Sequence, residues 1–139
     1  MWYDASISDE GVFLMHTVVV LGASDNPDRK SNEAVKLLAQ KGCRVIPVHP
    51  TLDVIEGIPV ANTLSTVPEE PDVLTIYVNS DRSGGMRDDI VRLAPRTVIF
   101  NPGSENPDLE TYLTGNGIHV VRACTIVLLK TGQFEKTIS

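Results

Sequence analysis

The chain has no excess of positive charge. It carries 12 Lys and Arg against 18 Asp and Glu over 139 residues, a formal net charge of −6. No basic stripe is available for a general nucleic-acid surface. A small anionic ligand stays open, because backbone N–H groups at a helix start hold phosphate without net positive charge. Cysteine is scarce as well. Cys43 and Cys124 stand far apart, which is neither a metal spacing nor a disulfide framework, so a reducing, cytoplasmic setting is expected. Long apolar runs are also missing. The stretch 12–21, "VFLMHTVVVL", is well short of the ~20 residues that span a bilayer. Asp4, Asp9 and Glu10 precede it with no Lys or Arg, so there is no basic start of a secretory signal and no membrane partner is expected. Met15 stands directly before the first core run, and residues 1–14 read as an N-terminal arm. Residues 15–139 then form one domain, within the usual ~100–200 residues.

What is present is an alternation of two kinds of segment. Thr17–Leu21, Arg44–Val48, 73–78, Thr97–Phe100 and 119–121 are short, rich in Val and Ile, and show little polar alternation. Strands buried on both faces of a parallel sheet have this character. Between them lie helical spacings. Residues 31–41 place Ala34, Leu37 and Leu38 on one face before Gly42, which suits a helix C-terminus. Residues 86–93 place Met86, Ile90 and Leu93 together before Pro95. Residues 107–114 open with Asn106 as N-cap and Pro107 at the first helical position. The stretch 52–67 has turn residues and no sustained period, and reads as an excursion. The order predicts a doubly wound, three-layer α/β fold with five parallel strands in the order 3-2-1-4-5. Ligands of such sheets bind at the carboxyl ends of the strands.

The first of those ends is "VVVLGASDNPDRK", residues 18–30. It begins like the glycine turn of a dinucleotide-binding unit, but Ser24 and Pro27 stand where the second and third glycines belong. Gly22 allows the sharp turn, small Ala23 lets an anion approach the backbone, and Ser24 adds a hydroxyl. Arg29 and Lys30 stand near enough for a second phosphate. A plain turn with solvated basic residues is the competing reading. An NAD site would also want an acid at the end of the second strand, for the ribose hydroxyls. Val48, His49 and Pro50 stand there instead. The remaining ends are Tyr77-Val78-Asn79-Ser80, Asn101-Pro102-Gly103-Ser104 and Ala123-Cys124-Thr125. They supply no acid/base pair.

The segments "VLGASDNP", "GCRVIPVHP", "DVLTIYVN" and "VIFNPGSENPDLETYLTGNGIHVVRACT", in this order, resemble the small single-domain CoA-binding proteins. That family is related to the CoA-binding domain of the succinyl-CoA synthetase alpha subunit. The resemblance covers residues 16–134 and implies a Rossmann-like domain holding CoA or an acyl-CoA over the strand ends. It implies that Gly22, Ala23, Ser24 and Asn26 form the phosphate turn, with Arg29 or Lys30 beside it. Val48, His49 and Pro50 would line the adenosine, and Tyr77, Val78 and Asn79 the adenine or the pantetheine arm. Asn101 and Gly103 would close the far side. The chain departs from the family's pattern twice. Thr51 stands where a lysine commonly follows the second strand, which bears on the choice between CoA and an adenine nucleotide. Cys43 replaces an aromatic residue before that strand.

Non-catalytic binding of CoA or acyl-CoA is the favoured function. A nucleotide-dependent enzyme or a ligase-type subunit with a partner chain is the alternative, and an interaction module that has lost its ligand is a third. A homo-oligomer or a partner protein stays open. His49 reads equally as a phosphate partner, a ring on adenine, or a solvated loop residue. His16, His119, Glu105 and Asp108 read as structural. Cys124 also reads as structural, because no electropositive setting is evident to activate it.

Overall fold

The computed structural model describes residues 16–139. The expected arm, residues 1–14, and Met15 lie outside the described residues. Five parallel strands make the central sheet: β1 (Thr17–Leu21), β2 (Arg44–Val48), β5 (Val73–Ile76), β6 (Thr97–Phe100) and β7 (His119–Arg122). Helix α1 (Lys30–Gln40) links β1 to β2. The expected excursion contains a two-stranded antiparallel hairpin, β3 (Val54–Ile55) and β4 (Ile58–Pro59), and then a single 3-10 turn, Leu64–Thr66. Helices α2 (Ser80–Gly84) and α3 (Arg87–Leu93) precede β6, and α4 (Pro107–Gly115) precedes β7. Helices α5 (Thr125–Lys130) and α6 (Phe134–Ile138) close the chain. The short α2, α5 and α6 had no separate signal in the apolar spacing.

The fold is the doubly wound α/β sheet that the pattern implies. The strand order differs from the expected 3-2-1-4-5. The observed order is β2-β1-β5-β6-β7, which is 2-1-3-4-5 for the long strands. The reason lies on the outer edge of β2. There the excursion returns and pairs: Ala61 N–H donates to the Pro47 carbonyl at 2.9 Å, and His49 N–H to the Ala61 carbonyl at 3.1 Å. Pro47 has no N–H to give a further strand, and proline belongs on sheet edges. The third long strand therefore takes the free side of β1.

Alternate residues of each strand feed two cores. Val18 and Val20 face Val35 and Leu38 of α1, Leu128 and Leu129 of α5 and Phe134 of α6. Val19 and Leu21 belong with Ile90 and Leu93 of α3 and Leu109 and Leu113 of α4. The runs lacked alternation because both faces are covered. The helix ends follow the sequence signals. Asn106 accepts from Leu109 N–H with Pro107 at the first position. Gly42 takes a left-handed φ of +89° after α1. Among the described residues, no helix is long and apolar enough to cross a membrane.

Candidate functional site

The observed order moves the switch point of the sheet to the gap between β1 and β5, where chain connections leave in opposite directions. The turn after β1 therefore lies against the loop after β5. Gly22 makes this approach possible. Its φ is +86°, and a Cβ there would sit 2.8 Å from Val78 Cγ1 and 3.2 Å from Val78 N. The N–H groups of Gly22 and Ala23 both donate to the Val48 carbonyl, at 3.3 and 3.2 Å. They tie the turn to the end of β2 and are not free for an anion. The Ala23 methyl is buried in the core beneath α1.

From Ser24 onward short polar side chains bend the loop. Ser24 Oγ accepts from Asn26 N–H at 3.0 Å, and Asn26 Oδ1 from Asp28 N–H at 2.9 Å. Asn26 thus shapes the loop and does not line the cleft. Arg29, at the N-cap of α1, gives no side-chain cap, so the first amides of that helix are left for water or a ligand. Buried Asn32 holds the loop from below. Its Nδ2 donates to the Ser24 carbonyl at 2.9 Å, while its Oδ1 has no hydrogen-bond partner among the described residues.

These elements surround an open cleft of about 660 Å³. Gly22, Ala23, Ser24, Arg29 and Lys30 line one side; His49, Pro50, Tyr77, Val78, Asn79 and Gly103 line the rest. Asp28, Ser31, Arg82 and Pro102 join them. A smaller slot of about 180 Å³ opens beside it, between Leu21, Val48, Leu64, Val78 and Met86. Gly22, Pro50, Val78 and Arg82 border both spaces. Val48 belongs to the slot. Cations at the cleft are not spent elsewhere. Arg44, Arg92 and Arg122 pair with Glu69, Asp89 and Glu110, at 2.6, 2.8 and 2.8 Å. Arg29, Lys30 and Arg82 form no ion pair among the described residues.

The polar groups of the cleft have definite states. His49 Nδ1 accepts from the N–H groups of Thr51 and Leu52, both at 3.1 Å. That ring nitrogen is therefore engaged by the backbone and leaves Nε2 as the ring's other polar atom. Asn79 caps α2 by accepting from Arg82 N–H at 3.1 Å. The Tyr77 phenol oxygen is buried without a hydrogen-bond partner among the described residues. Burial pushes its pKa well above the ordinary range, and the Cys124 thiol adds to the shift. The Thr75 and Thr125 hydroxyls near it are engaged with each other at 2.8 Å. Gly103 N–H is occupied by Glu105 Oε1 at 3.0 Å. Glu105 therefore acts at the cleft's far wall.

Asn101 does not face the cleft. It is 1% exposed. Its Nδ2 donates to Thr75 Oγ1 at 2.7 Å and to the Ile76 carbonyl at 2.9 Å, and its Oδ1 accepts from Thr125 N–H at 2.8 Å. It locks the ends of β5 and β6 to the start of α5. Asp28, Ser31 and Arg82 are cleft residues beyond those the sequence nominates, and Arg82 is the cation among them. The signal was a basic residue three positions past Asn79, on a helix whose five residues are too few to show a period.

Comparison with known proteins bears on the family and the fold. The profile of a family described as "CoA binding domain" matches residues 16–130. The uncharacterised protein YneT of Bacillus subtilis is 28% identical over 104 residues, covering 75% of this chain and 77% of that one. The crystal structure of an uncharacterised protein superposes with a TM-score of 0.82 at 35% identity, covering 88% of this chain and all of the other. A dinucleotide forming acetyl-coenzyme A synthetase of Ca. Korarchaeum cryptofilum, in complex with phosphate and ADP, contains a similar region. The TM-score there is 0.64 at 27% identity, over 75% of this chain and 25% of the synthetase.

Proposed function

The chain belongs to the CoA binding domain family, and from that premise we propose that it binds CoA or an acyl-CoA in the cleft between β1 and β5 without transforming it. One observation carries the reading. The loop after Gly22 leads into a helix start with no side-chain cap, beside Arg29 and Lys30, which have no ion-pair partner among the described residues. Free amides, a helix dipole and unspent cations together suit a diphosphate. The adjoining slot, with Leu21, Val48, Leu64 and Met86 for ring faces and Asn62 and Thr63 for polar edges, suits a flat heteroaromatic base such as adenine. The open cleft leaves room for an extended arm towards Tyr77 and Gly103.

Two features favour plain binding. Among the described residues His49 is the one imidazole on the cleft wall; its Nδ1 is occupied by backbone amides, and it is hydrogen-bonded to no nucleophile there. No hydroxyl of the cleft is hydrogen-bonded to a carboxylate or imidazole base among the described residues. A ligase-type subunit working with a separate chain is the second reading. The likeness to one quarter of a larger synthetase favours it.

The test is calorimetric titration with CoA, acetyl-CoA, NAD and ATP at fixed salt. CoA binding without NAD binding is expected. A Ser24→Asp variant should bind CoA at least ~10-fold more weakly, about 1.4 kcal/mol, because a carboxylate there repels the diphosphate. Circular dichroism checks that the variant is folded. No binding of CoA by the folded parent protein would overturn the reading. Turnover of acetyl-CoA by the chain alone would overturn the non-catalytic part.

A further inference from the structure

We propose that Arg82 is the residue that reads a ribose phosphate on the nucleotide, supplying from α2 the charge that the loop after β2 lacks. The inference rests on the CoA reading of the cleft and adds its specificity. Three observations lead to it.

The loop after β2, residues 49–63, contains no Lys or Arg. Thr51 is uncharged, and the Nδ1 of His49 is occupied by the two backbone amides that donate to it. Arg82, by contrast, is exposed and has no ion-pair partner among the described residues, although Asp89 lines the same slot. Asp89 is already engaged with Arg92 at 2.8 Å. Finally, Arg82 borders both the large cleft and the apolar slot, whereas Arg29 and Lys30 border the cleft alone.

Position then divides the labour. A base in the slot and a diphosphate at the loop before α1 put the connecting ribose at the junction of the two spaces. Gly22, Pro50 and Val78 at that junction are uncharged, which leaves Arg82 as its cation. A guanidinium presents several donors in a planar fork that matches phosphate. Arg29 and Lys30 serve the diphosphate, which CoA and 3′-dephospho-CoA share. Arg82 serves the 3′-phosphate, which distinguishes them.

The experiment titrates the full chain and its Arg82→Gln and Lys30→Gln variants with CoA and with 3′-dephospho-CoA, at one salt concentration. The parent protein is expected to bind CoA at least ~10-fold more tightly than 3′-dephospho-CoA. Arg82→Gln should remove that preference by weakening CoA alone, with the 3′-dephospho-CoA affinity changed less than ~3-fold. Lys30→Gln should weaken both ligands alike and keep the preference. The proposal is overturned if the parent shows no preference, if Arg82→Gln weakens both ligands equally, or if Lys30→Gln abolishes the discrimination. Failure of the parent to bind either ligand overturns the CoA reading itself, a different result from binding both equally. Arg82 is exposed, so the variant should fold, and circular dichroism verifies it.

Discussion

Asn32 Nδ2 donates to Glu56 Oε2 at 3.0 Å, tying the tip of the β3–β4 hairpin to the first turn of α1. The same amide nitrogen holds the Ser24 carbonyl, so the excursion braces the loop proposed to hold the diphosphate. Glu56 takes a φ of +52° at the hairpin tip, a conformation that suits glycine.

Two substitutions at Glu56 separate its bond from its backbone. Both Glu56→Ala and Glu56→Gly lose the contact with Asn32. Only the glycine variant relieves the left-handed φ. Urea denaturation should therefore find Glu56→Ala less stable than Glu56→Gly by about 1 kcal/mol, the left-handed cost less the added freedom of an unfolded glycine. The opposite order would show that the tip is not strained.

Gly22→Ala should damage both stability and binding. The added methyl would meet Val78 Cγ1 at 2.8 Å on a backbone with φ +86°. Overpacking of this kind costs about 1–3 kcal/mol, and the left-handed backbone adds to it. The thermal midpoint should fall. CoA affinity should fall too, because the β1 turn and the β5 loop that flank the cleft must part. A variant as stable as the parent would rule out this close approach.

Asn101→Asp should destabilise the protein in a pH-dependent way. A carboxylate at position 101 would face the Ile76 carbonyl and Thr75 Oγ1 where an amide now donates. A buried group left without its partner costs about 1–3 kcal/mol, more when charged. Burial raises the carboxyl pKa in the folded state, so the folded protein holds the proton more tightly than the unfolded chain. Stability of the variant relative to the parent should be best near pH 4 and fall as pH rises. Denaturation midpoints at pH 4.5 and 7.5 check the sign. A penalty that does not change with pH would place the side chain in water.

The two thiols should behave differently. Burial pushes the Cys43 pKa up to about 12, and Glu135 and Asp72 add to it. Cys43 should resist an aromatic disulfide reagent at pH 8 in the folded protein, while the half-buried Cys124 reacts. The folded pKa lies above the unfolded value, so Cys43 contributes stability that is complete below about pH 8.5 and is lost as pH rises towards 12. Mass spectrometry of the labelled sites gives the answer. Equal labelling rates would contradict the burial of Cys43.

Much of this protein was legible in its sequence. Val18–Val20 and Val98–Phe100 announce strands covered on both faces. Asn106-Pro107 and Gly42 mark helix ends. Gly22 marks the turn at a strand's carboxyl end. These signals are local: they depend on a residue's own conformational preference or on its immediate neighbours. Pro47 also carried information, because a proline inside a run favours a sheet edge, and it argued against placing a third strand outside β2.

Other properties depend on groups that meet only after folding. The order β2-β1-β5 rests on Ala61 closing the far edge of β2, a contact from a segment with no regular period. Asn101 looked like a ligand residue because it follows a strand, yet Thr75, Ile76 and Thr125 use its whole amide. The engagement of His49 Nδ1 is decided by the direction of two backbone N–H groups. The position of Arg82 at the junction of cleft and slot is decided by where α2 packs. Hydrogen-bond satisfaction and charge pairing are properties of three-dimensional neighbours, so a one-dimensional pattern can nominate such residues but cannot assign their partners.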